Sequence, residues 1–373
     1  MGDVLSNQTL NVESSDEGVS AEATAVGNIV SATGQNAYLN FQSNQALAGA
    51  THVEANATAT VTGDAGPYFT SAVTATGNSA TAGTCCALTE GTALQTVNAG
   101  AVVAGDAIFQ VGSADAATVE SSAVGNTTGW QQINGAIQTW TGQTNSGLTT
   151  STVTGEFAAV PGNTTLSATA VSNNVTVDSD SAPSDIGVGQ IADGDGASAV
   201  VDVVLGSAGD IQALATGVGN NVDAQHRSPE SGMGVSQGNS APVTAYANLE
   251  VTDWTGDANV VAYGVGNSVV QSNNGPRAVI YSEQYMDGDV NVAAGFTGGA
   301  GANVFTSATA IGNAVSGYAC SACGGSLEAF NNQVGSSRVR ANSAISVTGR
   351  ARSISGQASA VGNSATYEVS SGN

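Results

Sequence analysis

A four-residue phrase returns at a nearly fixed interval along the whole chain, and that interval limits the fold more than any other feature. It reads Ala25-Val26-Gly27-Asn28, Ala75-Thr76-Gly77-Asn78, Ala123-Val124-Gly125-Asn126 and Ala170-Val171-Ser172-Asn173. It continues as Gly217-Val218-Gly219-Asn220, Gly264-Val265-Gly266-Asn267, Ala310-Ile311-Gly312-Asn313 and Ala360-Val361-Gly362-Asn363. The steps between asparagines are 50, 48, 47, 47, 47, 46 and 50 residues. So steady a period implies one structural unit stacked on copies of itself. A repeated unit seldom builds one unique pocket, so the pattern points away from catalysis.

A second marker runs in step with the first. Gln45, Gln95, Gln143, Gln190, Gln237, Gln284 and Gln333 each precede the next anchor asparagine by 29 to 33 residues. The segments between the markers alternate. Leu47, Thr51, Val53, Ala55, Ala57, Ala59 and Val61 share one face, with His52, Glu54, Asn56, Thr58, Thr60 and Thr62 on the other. A period of two rich in Val and Thr indicates half-buried strands. Helical periodicity and capping boxes are lacking. Small inward residues fill only a thin core. The expected fold is therefore all-β, a β-solenoid of about eight repeats of 46–50 residues, in which buried Asn and Gln stack into hydrogen-bonded ladders.

The anchors Asn28, Asn78, Asn126, Asn173, Asn220, Asn267, Asn313 and Asn363 are expected at coil corners, where Gly permits positive φ and Asn tolerates it. Each repeat fits either one wide coil of three strands or two coils of half that size. A β-propeller uses a similar period but usually carries bulky aromatic signatures, and only 5% of this chain is aromatic. An outer-membrane barrel would need aromatic girdles. The chain reads as one elongated repeat domain over 1–373, with a partial repeat at 1–30, full repeats over 31–363 and a tail at 364–373.

Charge excludes other classes. There are 29 acidic residues against six arginines and no lysine, for a net charge of −23. Nucleic acid is not an expected partner, and a P-loop lacks its lysine. Met1-Gly2-Asp3-Val4-Leu5 has neither the basic start nor the apolar stretch of a signal peptide. This start fits a cytosolic chain or a mature secreted one carrying an added Met.

Most candidate chemistry reduces to repeat structure. Gly234-Val235-Ser236-Gln237-Gly238 matches a nucleophile elbow in letters, with Asp223 and His226 nearby, but no helix is expected to follow it. Gly187-x-Gly189-x-x-Ala192 lacks a βαβ unit. His52 and His226 are too far apart in sequence to suggest a metal pair. No catalytic, cofactor-binding or metal residue is assigned. Calcium is the one ion considered, through Asp193 and Asp195, Asp287 and Asp289, or Asp178 and Asp180, although solvated turns explain these as well. Trp130, Trp140 and Trp254 are candidates for sugar stacking, with Trp130 and Trp140 placed in loops.

Cys85-Cys86 and Cys320-x-x-Cys323 occupy one phase, five periods apart. Five stacked strands separate the two pairs by at least ~24 Å, beyond the roughly 7 Å that a disulfide spans. Each pair therefore closes locally, stays reduced or bonds another molecule. Local disulfides are favoured, and they suit an oxidising compartment.

Charge is also unevenly placed. Arg338, Arg340, Arg350 and Arg352 cluster in the last repeat, whereas Asp3, Glu13, Asp16, Glu17 and Glu22 open the chain without a basic residue. A solenoid has open edges at both ends. Complementary ends predict head-to-tail association, which does not close and so builds a filament.

Two stretches, Ser71-Ala72-Val73-Thr74-Ala75-Thr76-Gly77-Asn78-Ser79-Ala80 and Ser359-Ala360-Val361-Gly362-Asn363-Ser364-Ala365, resemble those of the holdfast anchor protein HfaD family. The Gly63-Asp64, Gly105-Asp106 and Gly256-Asp257 strand breaks are similar too. The resemblance implies an extracellular protein at the outer surface of a stalked or polar bacterium, with its signal peptide removed. It implies a structural role, attaching an adhesive polysaccharide beside a curlin-like surface subunit and a pore-forming outer-membrane lipoprotein, and it brings no catalytic residue. The Gln-to-Asn spacing also resembles curlin subunits, whose coils are about half as long. That favours two coils per repeat. The alternatives are a carbohydrate-binding or carbohydrate-cleaving β-helix and a surface adhesin that does not polymerise.

Overall fold

The computed structural model describes residues 2–320 and 325–370. Within them the chain is all-β and parallel, in a solenoid-like arrangement. Each strand pairs in register with the strand one repeat away: Asn78 with Asn126, Asn126 with Asn173, and Gln143 with Gln190. No strand pairs at half that distance among the described residues. This corrects the expectation of two coils per repeat, because half-length coils would pair residues about half a repeat apart. One repeat is one wide coil.

Each coil lays down three strands. The third coil has Val102–Ser113, then the 17-residue Ala117–Ile133, then Ile137–Asn145. Further along, the first two fuse into single strands, Val243–Asn273 and Val290–Cys320, which joins two of the three faces into one 14-stranded sheet. The third face is a separate 7-stranded sheet. Seven steps of ~4.8 Å give a stack about 34 Å tall, while a 17-residue strand runs about 56 Å across it. The coil is therefore broader than the stack of eight is tall.

Two cores lie side by side under the long strand. Its first half packs on the short strand before it, with Val53, Ala55, Ala57, Ala59, Phe69, Val73 and Ala75 in one cluster. Its second half packs on the short strand after it, joining Ala80, Ala82, Trp130, Ile137, Val175 and Ile186 in another. The alternation read from sequence therefore marks the buried face, Val53 to Val61 included. Phe69, Phe109 and Phe157 fill the wide end of the first core with ring centroids 4.7–5.9 Å apart.

The Gly-Asn anchor is where the long strand passes from one core to the other. Gly77 and Asn78 are both buried, so the alternation changes phase there while the strand continues from Phe69 to Cys85. None of the anchor glycines has positive φ, which corrects the reason given for glycine at these positions. The cause is crowding between coils. A Cβ on Gly77 would lie 2.4 Å from the carbonyl oxygen of Gly125, and one on Gly312 would lie 2.4 Å from that of Gly362. The left-handed turn sits eight residues later, at Asn36 (φ 53), Cys86 (φ 73), Asn134 (φ 53) and Ser181 (φ 73).

Gly105-Asp106 is likewise not a break, since both residues lie inside Val102–Ser113. Gly63-Asp64 and Gly256-Asp257 do coincide with irregular register.

Candidate functional site

Two backbone carbonyls in each coil reach the buried markers, one just after the anchor asparagine and one near the end of the short third strand. A buried carbonyl without a donor is costly, and the two marker residues supply the donors. Asn78, Asn126, Asn173 and Asn220 donate from Nδ2 to the carbonyls of Thr96, Thr144, Ile191 and Gly238, at 2.8–2.9 Å. In return Gln95, Gln143, Gln190 and Gln237 donate from Nε2 to Thr127, Asn174, Asn221 and Ser268, each at 2.9 Å. The second proton of each amide runs along the stack. Asn28 Nδ2 donates to Asn78 Oδ1 at 2.7 Å, and the same link repeats at 2.8 Å through to Asn363. The glutamines form the opposite chain: Gln95 Nε2 donates back to Gln45 Oε1 at 2.8 Å, and so on to Gln333. The asparagine donors thus point toward the C-terminal coil and the glutamine donors toward the N-terminal coil.

Among the described residues, no further strand covers either end of the stack. Val4–Val12, Val19–Gln35 and Leu39–Leu47 form the first edge, and Val339–Val347, Ala351–Ser370 and Ser326–Gly335 form the last. Parallel edges of this kind present unpaired N–H and C=O groups. Asp3 accepts from the His52 backbone N–H at 2.9 Å, and Glu13, Asp16 and Glu17 stand at the first corner of the N-terminal coil. At the other end Arg338 pairs with Asp289 at 3.0 Å, and its backbone N–H, followed by its side chain, holds the Asp289 carboxyl below the usual carboxylate range. Arg350 and Arg352 stand at the corner that follows Val347, and Arg340 lies on the adjoining strand.

The third face carries an aromatic groove. Outward positions at one register hold Trp140, Gly187, Gly234, Tyr281 and Phe330 in successive coils. Trp140, Tyr281 and Phe330 are about half exposed, and the last two stack with centroids 4.8 Å apart. The groove between them has a volume of about 810 Å³, with Asp185, Ser236, Glu283 and Asn332 among its lining. Trp130 and Trp254 are buried at 2% exposure, and Trp130 and Trp140 both lie in strands, so the loop placement is corrected and only Trp140 is accessible.

The remaining candidates scatter. Cys85 and Cys86 are joined to each other at the left-handed corner. Cys320 ends a strand, and Cys323 lies outside the described residues. His52 is outward-facing and bonded to Glu54 at 2.7 Å, which raises its pKa. His226 is buried against Ser179, and that burial pushes its pKa down to about 4. No cluster of three or more potential metal ligands occurs among the described residues. Sequence reasoning missed the groove floor. Its signal was a glycine at the outward position between aromatics one repeat apart, visible only once the register is known.

A family model described as Holdfast attachment protein D matches residues 13–289 and 277–373. The chain belongs to the holdfast attachment protein D family. No curated protein and no solved structure matches it.

Proposed function

We propose that this protein is a non-enzymatic β-solenoid of the bacterial surface that associates with copies of itself and anchors an adhesive polysaccharide, the holdfast, to the cell envelope. Membership in the holdfast attachment family supports the setting. The observation that carries self-association is the pair of open ends, acidic at one and arginine-bearing at the other. An uncapped parallel edge in a secreted protein invites a partner strand, and opposite charges select a different end over a like one. A curlin-like subunit and a pore-forming outer-membrane lipoprotein are the other partners in this reading. The role needs no cofactor.

Sizing and negative-stain electron microscopy of the purified chain test it. Filaments are expected, and replacing Arg338, Arg340, Arg350 and Arg352 by Glu should abolish them. Polymers unchanged by that variant would remove the charge-guided reading.

The groove supports the polysaccharide contact. Aromatic plates beside carboxylates and amides suit a sugar ring, which offers an apolar face and a hydroxyl rim. Since Trp140 is the accessible tryptophan, purified holdfast polysaccharide should protect its fluorescence from acrylamide quenching. Unchanged quenching in the native protein, at polysaccharide concentrations that saturate whole-cell attachment, would remove the groove from the anchoring role.

A further inference from the structure

We infer that the two ends dock on a second copy of this chain in one polarity and one register, fixed by the asparagine ladder and the charged columns beside it rather than by the strand edges. This rests on the self-association proposed above and specifies its geometry. Backbone edges alone do not choose, because a parallel strand offers the same N–H and C=O pattern after every two-residue shift. The asparagine ladder does choose. Asn28 Oδ1 and Gln333 Oε1 accept no hydrogen bond among the described residues. Gln45 Nε2 spends one proton on Ser79 and Asn363 Nδ2 one on Gln333, which leaves each a second N–H. The N-terminal end therefore presents an Asn acceptor beside a Gln donor. The C-terminal end presents an Asn donor, with the Gln acceptor one coil short of it.

Set a second copy head to tail with its first coil as the next rung. Asn363 then donates to Asn28 of the incoming copy, so the asparagine ladder runs on through the junction, whereas the third face has one strand fewer than the other two and leaves the incoming Gln45 two rungs from Gln333. The same placement aligns everything else. Val4, Val53, Val103, Thr149, Ala197, Val243, Val290 and Val339 form one column, so Val339 meets the next Val4. Arg338 falls in the column of Asp3, one position before Val4 in the first coil and Val339 in the last. Val12 and Val347 likewise share a column, so Arg350 and Arg352 enter the same corner as Glu13, Asp16 and Glu17. A two-residue slip breaks the asparagine ladder and all of these pairs. Head-to-head contact sets one acidic end on another.

Cysteine pairing reads the register. Asn7 and Asn342 are outward residues of one column, so a junction places them about 4.8 Å apart, within disulfide reach. In a chain carrying Cys320→Ser and Cys323→Ser, the double variant Asn7→Cys with Asn342→Cys should form a ladder of covalent oligomers under mild oxidation. Thr9→Cys with Asn342→Cys, two residues out of register, should not, and neither should either single variant. Charge reversal reads the polarity. Arg350→Glu with Arg352→Glu, and separately Glu13→Arg with Asp16→Arg and Glu17→Arg, should each fail to polymerise alone and should form alternating filaments when mixed. Cross-linking by Asn7→Cys alone would show head-to-head contact and overturn the inference. Filaments that give no cross-link in the double variant would overturn the register while leaving self-association intact. No filaments from the native chain under any condition would remove self-association, and this inference with it.

Discussion

Asn220 shows what a single residue does in this fold. It donates to Gly238 and Asn267 and accepts from Asn173, all at 2.8–2.9 Å and with no exposure. Asn220→Ala strands a buried carbonyl and the Asn173 amide together, which should cost about 2–4 kcal/mol, seen as a lower midpoint in guanidinium unfolding. The ladder passes through every coil, so the same change at the end residue Asn363 should cost much less. His226 gives a second residue-scale test. Burial holds its pKa at about 4 in the folded chain, against about 6.5 when unfolded. The unfolded state therefore takes up the proton first. Stability is full above pH ~6.5, falls as the pH drops toward about 4, and levels off below it, for a total loss of at most ~3 kcal/mol. His226→Gln should flatten that part of the stability–pH curve. An unchanged slope would place the acid sensitivity elsewhere.

At the scale of the element, the long strand with its change of phase is the part that no short sequence window reveals. Its alternation is plain on either side of the anchor, and Val53 to Val61 were legible as inward residues from period alone. The phase change at Gly77-Asn78 looked like a turn, because Gly and Asn are turn residues by propensity. The competing cause, a carbonyl of the next coil where a Cβ would sit, is a contact between residues 48 positions apart. Coil number was hidden for the same reason, since a period fixes the repeat but not how often it crosses the axis. The groove needed both pieces of information, for Gly187 and Gly234 matter only as neighbours of Trp140 and Tyr281. Packing predictions divide along these lines. Phe157→Ala removes one ring of a buried three-ring cluster and should cost about 3–5 kcal/mol. Phe330→Ala, half exposed on the last coil, should stay within about 0.5 kcal/mol by thermal melting.

For the whole molecule, the strongest prediction concerns length. Asn173 and Asn220 occupy one register position, so deleting residues 174–220 removes one full coil and rejoins equivalent points. The product should fold and be shorter along its axis by about 4.8 Å by small-angle scattering. Deleting only half of that segment should abolish folding, whereas two coils per repeat would have tolerated it.

The backbone hydrogen bonds between coils all run along the stacking axis, and this sets how the molecule bears a load. Tension applied through the chain termini would open one rung at a time at an end, as a seam is unpicked stitch by stitch. Tension spread over a whole end face loads the bonds of all three faces and both ladders at once. A stack gripped by its faces thus resists pulling far better than one held by its ends of chain.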